Sequence, residues 1–138
     1  QLLGTSAIAW YAPARWAQAA RENFPHSLAQ VPVLLPTEHA AVRARINHWL
    51  EREHIRPHIA GEFEDSALLS TFAASGMGVM PAPASLGAHL EQTCALEWVG
   101  TTPDVHEQFH LIYSARKVMH PLLTRLLAAA ADEMLLNI

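Results

Sequence analysis

Three oxygen-bearing side chains stand in a row at Glu64-Asp65-Ser66, after the extended run His58–Phe63 and before a helical stripe. Carboxylate and hydroxyl oxygens are the ligands hard cations take, so this corner could hold an ion. The same side chains could instead serve the backbone, Asp65 or Ser66 accepting from the free N–H groups of the next helical turn. A second polar corner, Thr37-Glu38-His39, is expected at the N-terminus of the helix that carries Val42, Ile46, Trp49 and Leu50. Free amides and the helix dipole make such an end a place for an anion or a polar ligand. Capping by Thr37 is the competing role.

Other residue types capable of chemistry form no pattern. Histidine is a residue type that can sense pH or ligate metals, but none of the nine here stands in a His-Glu-x-x-His arrangement. His54 and His58 are separated by Ile55-Arg56-Pro57, which breaks a helical pair, so no metal site is expected. Ser66, Ser70, Ser75 and Ser85 lie in no Gly-x-Ser-x-Gly elbow, and Cys94 stands between Thr93 and Ala95, outside any nucleophile pattern. Gly76-Met77-Gly78 lacks the third glycine and the helix of a dinucleotide loop. No catalytic residue and no cofactor are expected.

The elements that must position these corners follow from periodicity. Strands are expected at 6–11, 31–36, 58–63, 78–80, 96–99 and 106–115, and helices at 14–24, from 37 to about 54, 65–75, 84–92 and 119–136. In the helix of the second corner, Arg43, Arg45, Asn47, Glu51 and Arg52 fall on the wet side. Leu68, Leu69, Phe72 and Ala73 form the core stripe of the helix after Asp65, and Gly76 ends it, as a residue with positive φ does. Pro81 and Pro83 are expected to stop the strand at Met80, and Thr101-Thr102-Pro103-Asp104 to form a turn. Alternating strands and helices indicate an α/β fold. Glu64-Asp65-Ser66 and Pro81-Ala82-Pro83 then fall at carboxyl ends of strands, where open α/β sheets bind ligands.

Composition narrows the function classes. Half the residues, 51%, are hydrophobic, which supports a buried core. A net charge of −4 provides no basic face for nucleic acid. The single cysteine, Cys94, excludes an internal disulfide and suits a reducing compartment. The apolar-rich run Pro121–Ile138 contains Arg125, Asp132 and Glu133 and is not expected to span a membrane.

Four segments occur in a telling order: Leu35-Pro36-Thr37, Ile55-Arg56-Pro57-His58-Ile59, Glu62-Phe63-Glu64-Asp65-Ser66 and Gly76-Met77-Gly78-Val79-Met80-Pro81. Together they resemble the effector-binding domain of the LysR-type transcriptional regulators. The run Gly61–Leu69 with Pro81-Ala82-Pro83 is most similar to those members that activate sodium/proton antiporter genes. The resemblance implies a lobe of the type 2 periplasmic-binding-protein-like fold, a mixed sheet flanked by helices, as a fragment of a two-lobed domain. Residues 1–5 would lead in as a hinge strand, 6–104 would form lobe II, and 105–138 would be the returning hinge strand and C-terminal helix of lobe I. The family's winged helix-turn-helix lies outside these residues, so the chain is expected to be a piece of a longer protein.

By the same resemblance the effector is a small molecule or an ion, sodium foremost, held between the lobes. Thr37, Glu38, His39, Glu64, Asp65, Ser66, Pro81 and Ala82 would line that cleft, the last two through backbone carbonyls. DNA would be bound only through the missing N-terminal domain. The whole protein would be a cytoplasmic homo-oligomer, without membrane contact and without enzymatic activity. A fragment of a periplasmic-type solute-binding protein is the alternative, because the two-lobed fold is shared.

Overall fold

The computed structural model describes residues 2–110. β1 (Leu2–Ala12), α1 (Ala14–Arg21), a 3-10 turn (His26–Ala29), β2 (Pro32–Pro36), α2 (Ala41–Arg52), β3 (His58–Phe63) and α3 (Ser66–Ala74) come first. Then follow β4 (Met80–Pro83), a second 3-10 turn (Ala84–Leu86), α4 (Gly87–Cys94) and β5 (Glu97–His110). The expected continuation of the last strand to Ala115 and the helix at 119–136 lie outside the described residues.

β1 is the spine. It pairs antiparallel with β4 on one side and with β5 on the other. β2 and β3 form a parallel pair. A parallel bridge between Val33 and Val79, just before β4, joins the two pieces through Leu34 N–H to Val79 O at 2.8 Å and Val79 N–H to Pro32 O at 2.9 Å. The arrangement is mixed α/β, as expected. Residues along a strand alternate between faces, so a strand buried on both sides must be apolar throughout. Accordingly Ile8, Trp10, Ala12, Val33 and Leu35 pack on one side with Ala17 and Ala20 of α1 and Ile46, Trp49 and Leu50 of α2. Ala9, Tyr11 and Leu34 face the other way, with Leu69 and Ala73 of α3 and Leu90 of α4.

Four local expectations are corrected. Pro81 and Pro83 do not stop a strand; they sit inside β4, opposite Trp10 and Ile8. β4 ends the three-stranded row, and an edge strand tolerates a residue without an N–H. The expected turn at 101–104 is part of β5: register passes from Thr102 opposite Ile8 to His106 opposite Ala7, so 103–105 form a bulge. Thr102 holds the bulge in place, its buried hydroxyl donating to Ile8 O at 2.8 Å. On α3 only Leu69 and Ala73 are buried, while Leu68 is 52% and Phe72 44% exposed. Phe72 instead stacks on Phe63, ring centroids 5.2 Å apart. Arg43, expected in water, is buried.

Two expected helix signals on α3 are present. Asp65 is the N-cap, its Oδ1 accepting from Ala67 N–H at 2.7 Å and Leu68 N–H at 3.2 Å. Gly76 closes the far end with φ of 103°.

Candidate functional site

A groove of about 440 Å³ opens where β2 and β3 end. Its walls come from Pro36 of β2, Phe63 of β3, the first turns of α2 (Ala40, Val42) and α3 (Ser66, Ala67, Ser70), and all of β4. Ile8 of β1, His89 and Leu90 of α4, and Glu107 of β5 complete it. Parallel strands followed by helices leave such a crevice at their carboxyl ends, because each chain turns away there to begin its helix. Most of the lining is apolar.

The expected site residues divide. Glu64, Ser66, Pro81 and Ala82 line the groove. Asp65 lies between two of them, but its carboxylate is engaged at the helix cap. Thr37, Glu38 and His39 lie outside the lining. They do not begin a helix, since α2 starts at Ala41 with Ala40 as its N-cap. Instead they form a turn in which Thr37 N–H donates to Phe63 O at 3.0 Å and Thr37 O accepts from Ala40 N–H at 3.1 Å. That turn still ties the end of β2 to the end of β3. Glu38 and His39 are exposed.

Beneath the turn sits Arg43. Its guanidinium donates to Pro36 O at 2.7 Å, to Glu62, and through Nε to Asn47 Oδ1 at 2.9 Å, with Glu38 at 3.8 Å. A buried guanidinium needs its donors satisfied, and here they clamp the ends of two parallel strands. The sequence carried one sign of this, because Arg43 lies on the same stripe as Ile46 and Leu50, at spacings of three and seven.

Glu107 was also missed. It enters the groove from β5, where burial pushes its carboxyl above the usual carboxylate range and the Arg45 guanidinium pulls it partly back. Arg45 itself donates to His106 O at 2.6 Å. The available signal was phase: Glu107 alternates in step with Phe109, Leu111 and Tyr113, on the apolar side of its strand. Burial likewise raises the Tyr11 hydroxyl, with a further push from Glu91. No group of three or more metal-ligating side chains occurs among the described residues.

A mixed sheet with a crevice at its strand ends suits a binding domain, and comparison with known proteins decides which. The LysR substrate binding domain family model matches residues 1–135. The chain belongs to the LysR substrate-binding domain family. Within curated proteins it is similar to the transcriptional activator protein NhaR of Escherichia coli, 25% identical over 75% of this chain and 34% of NhaR. The nitrogen assimilation regulatory protein Nac of Klebsiella aerogenes is 31% identical over 81% of this chain and 35% of Nac. The chain thus spans about a third of the length of these curated relatives. Among solved structures, the AmpR effector binding domain of Citrobacter freundii matches with a TM-score of 0.61 at 15% identity, over 97% of this chain and 66% of that one. This LysR domain therefore has the fold of that family's effector-binding domains, and its relatives are named as regulators. No helix among the described residues is long and apolar enough to cross a membrane.

Proposed function

We propose that this chain is the effector-sensing part of a transcriptional activator whose effector, sodium or another small ligand, binds in the groove at the ends of β2 and β3. The observation that carries the reading is the groove itself: in a domain of the LysR family, Glu64, Ser66, Pro81 and Ala82 converge on one crevice. Residues 6–104 act as lobe II. Residues 1–5 and 105–138 lead to and from the other lobe, the role suited to β1 and β5, the two longest strands, which pair antiparallel. The whole protein works in the cytoplasm as a homo-oligomer that reaches DNA through a separate domain and has no enzymatic role. Effector binding acts by its differential affinity for two arrangements of the lobes.

The sodium element rests on the resemblance to activators of sodium/proton antiporter genes and on the Glu64 carboxylate at the groove. Melting temperatures of the full-length protein test it, measured in sodium, lithium and potassium at equal ionic strength and at two pH values. Sodium and lithium are expected to raise the midpoint more than potassium, and Glu64→Gln to remove the difference. Equal shifts for the three ions would remove the ion-specific reading. A sodium response that survives Glu64→Gln with Asp65→Asn would place the ion elsewhere.

A further inference from the structure

The groove has an electrostatic character that narrows what it can hold. Two carboxylates reach it from opposite elements, Glu64 after β3 and Glu107 from β5, and no lysine or arginine is among its described lining residues. Two arginines stand behind the lining: Arg45, whose charge acts on Glu107, is held on His106 O, and Arg43 is held on Pro36 O and Glu62. The remaining titratable side chain, His89, lies with Nδ1 3.4 Å from Thr93 Oγ1. The N-terminus of α3, which would otherwise draw an anion, already has the Asp65 carboxylate on the Ala67 and Leu68 amides. The opposing feature is α2, whose first turn has no side-chain cap and keeps free donors beside the groove.

Size and surface add a second restriction. A hard ion is held by a close shell of about six or more oxygens. Here the walls are mainly Phe63, Leu69, Met80, the prolines of β4 and Leu90, in a space of about 440 Å³. That is the scale of a small organic ligand with an apolar body. Phe63, whose ring stacks on Phe72, adds to the apolar wall beside Glu64.

We infer that the groove binds an organic ammonium compound, with its charge drawn to the acidic residues of the lining, Glu64 and Glu107, and its apolar body against Phe63 and β4. This rests on the effector-domain reading above and names the ligand class of the same site. Such a ligand would offset what burial does to Glu107. A cation beside that carboxylate favours its ionised form, so affinity rises as the pH is raised through the range where Glu107 gives up its proton.

The test is calorimetric titration of the full-length protein with matched pairs that share an apolar body. Suitable pairs are benzylammonium with benzoate, phenethylammonium with 3-phenylpropionate, and cyclohexylmethylammonium with cyclohexanecarboxylate. In at least one pair the ammonium member is expected to bind about tenfold or more tightly than its carboxylate partner, a difference of about 1.4 kcal/mol. The preference should vanish in a Glu64→Gln, Glu107→Gln double variant whose fold is checked by circular dichroism. Carboxylates binding as well as or better than ammonium members would overturn the ligand class and leave the effector-domain reading standing. So would a preference untouched in the double variant, or a response to sodium with none to any ammonium probe. No response to any of these solutes would likewise overturn the inference and leave the effector-domain reading standing, since that reading admits other small ligands.

Discussion

Arg43 and Glu62 are unequal partners, and the inequality sets what their removal does. The Arg43 side chain is 4% exposed, whereas that of Glu62 is 46% exposed. Replacing Glu62 with alanine leaves the buried guanidinium with its neutral acceptors Pro36 O and Asn47 Oδ1 and only the exposed Glu38 as counter-charge, and is expected to destabilise the domain by about 2 kcal/mol. Arg43→Met leaves a carboxylate that water can reach and fills the space, so its effect should be smaller, about 1 kcal/mol. Denaturant unfolding of both single variants and the double gives the coupling, expected at about 1 kcal/mol or more; additive losses would show that the two side chains act separately. Glu107 makes a pH prediction of the opposite kind to a salt-bridged carboxylate. Its folded-state pKa is raised by burial, so the native state holds the proton more tightly than the unfolded chain does. Its contribution is therefore most favourable at acid pH, declines as pH rises from the usual carboxylate range through the raised value, and is constant beyond it. Glu107→Gln should melt higher than the parent near neutral pH, with the gap closing on acidification. A gap independent of pH would assign the effect to packing. Neither residue was legible from its own type, since a charge on a helix or strand is ordinarily solvated.

The α3 unit obeys local rules at both ends. Asp65→Ala removes the acceptor for two amides and is expected to lower stability by about 1 kcal/mol, with Asp65→Asn or Asp65→Ser retaining most of it; denaturant titration of the three distinguishes capping from charge. After α3 the chain must pass close to β2. A side chain at Gly78 would place its Cβ 2.7 Å from Pro32 O, the same carbonyl that accepts from Val79 N–H. Asp65 and Gly76 could be read in advance because caps depend on a few neighbouring residues. The segment 101–104 could not. Thr-Thr-Pro-Asp has turn composition, but a bulge keeps the strand going because β1 runs on beside it and Thr102 bonds across to Ile8. Pro81 and Pro83 misled for a related reason, since only the order of strands made β4 an edge.

At the scale of the molecule, the groove draws residues from all five of the described strands and from both core clusters, so a ligand there stabilises the fold as a whole. A solute that binds only the native state adds about 2.7 kcal/mol at a hundred times its dissociation constant, which is why melting temperature reports the effector directly. The amino-acid order by itself determined the α/β class, the alternation of strands and helices from β1 to α4, the cap and stop of α3, and the family to which the four segments pointed. Those features depend on periodicity and on short-range backbone geometry, which a sequence carries locally. Only the tertiary structure decided that Glu107 joins Glu64 at one crevice, that Arg43 is buried, and that Thr37, Glu38 and His39 stand outside the lining. Each of these depends on which strands lie side by side and in what register, and that is settled by packing between segments far apart in the chain.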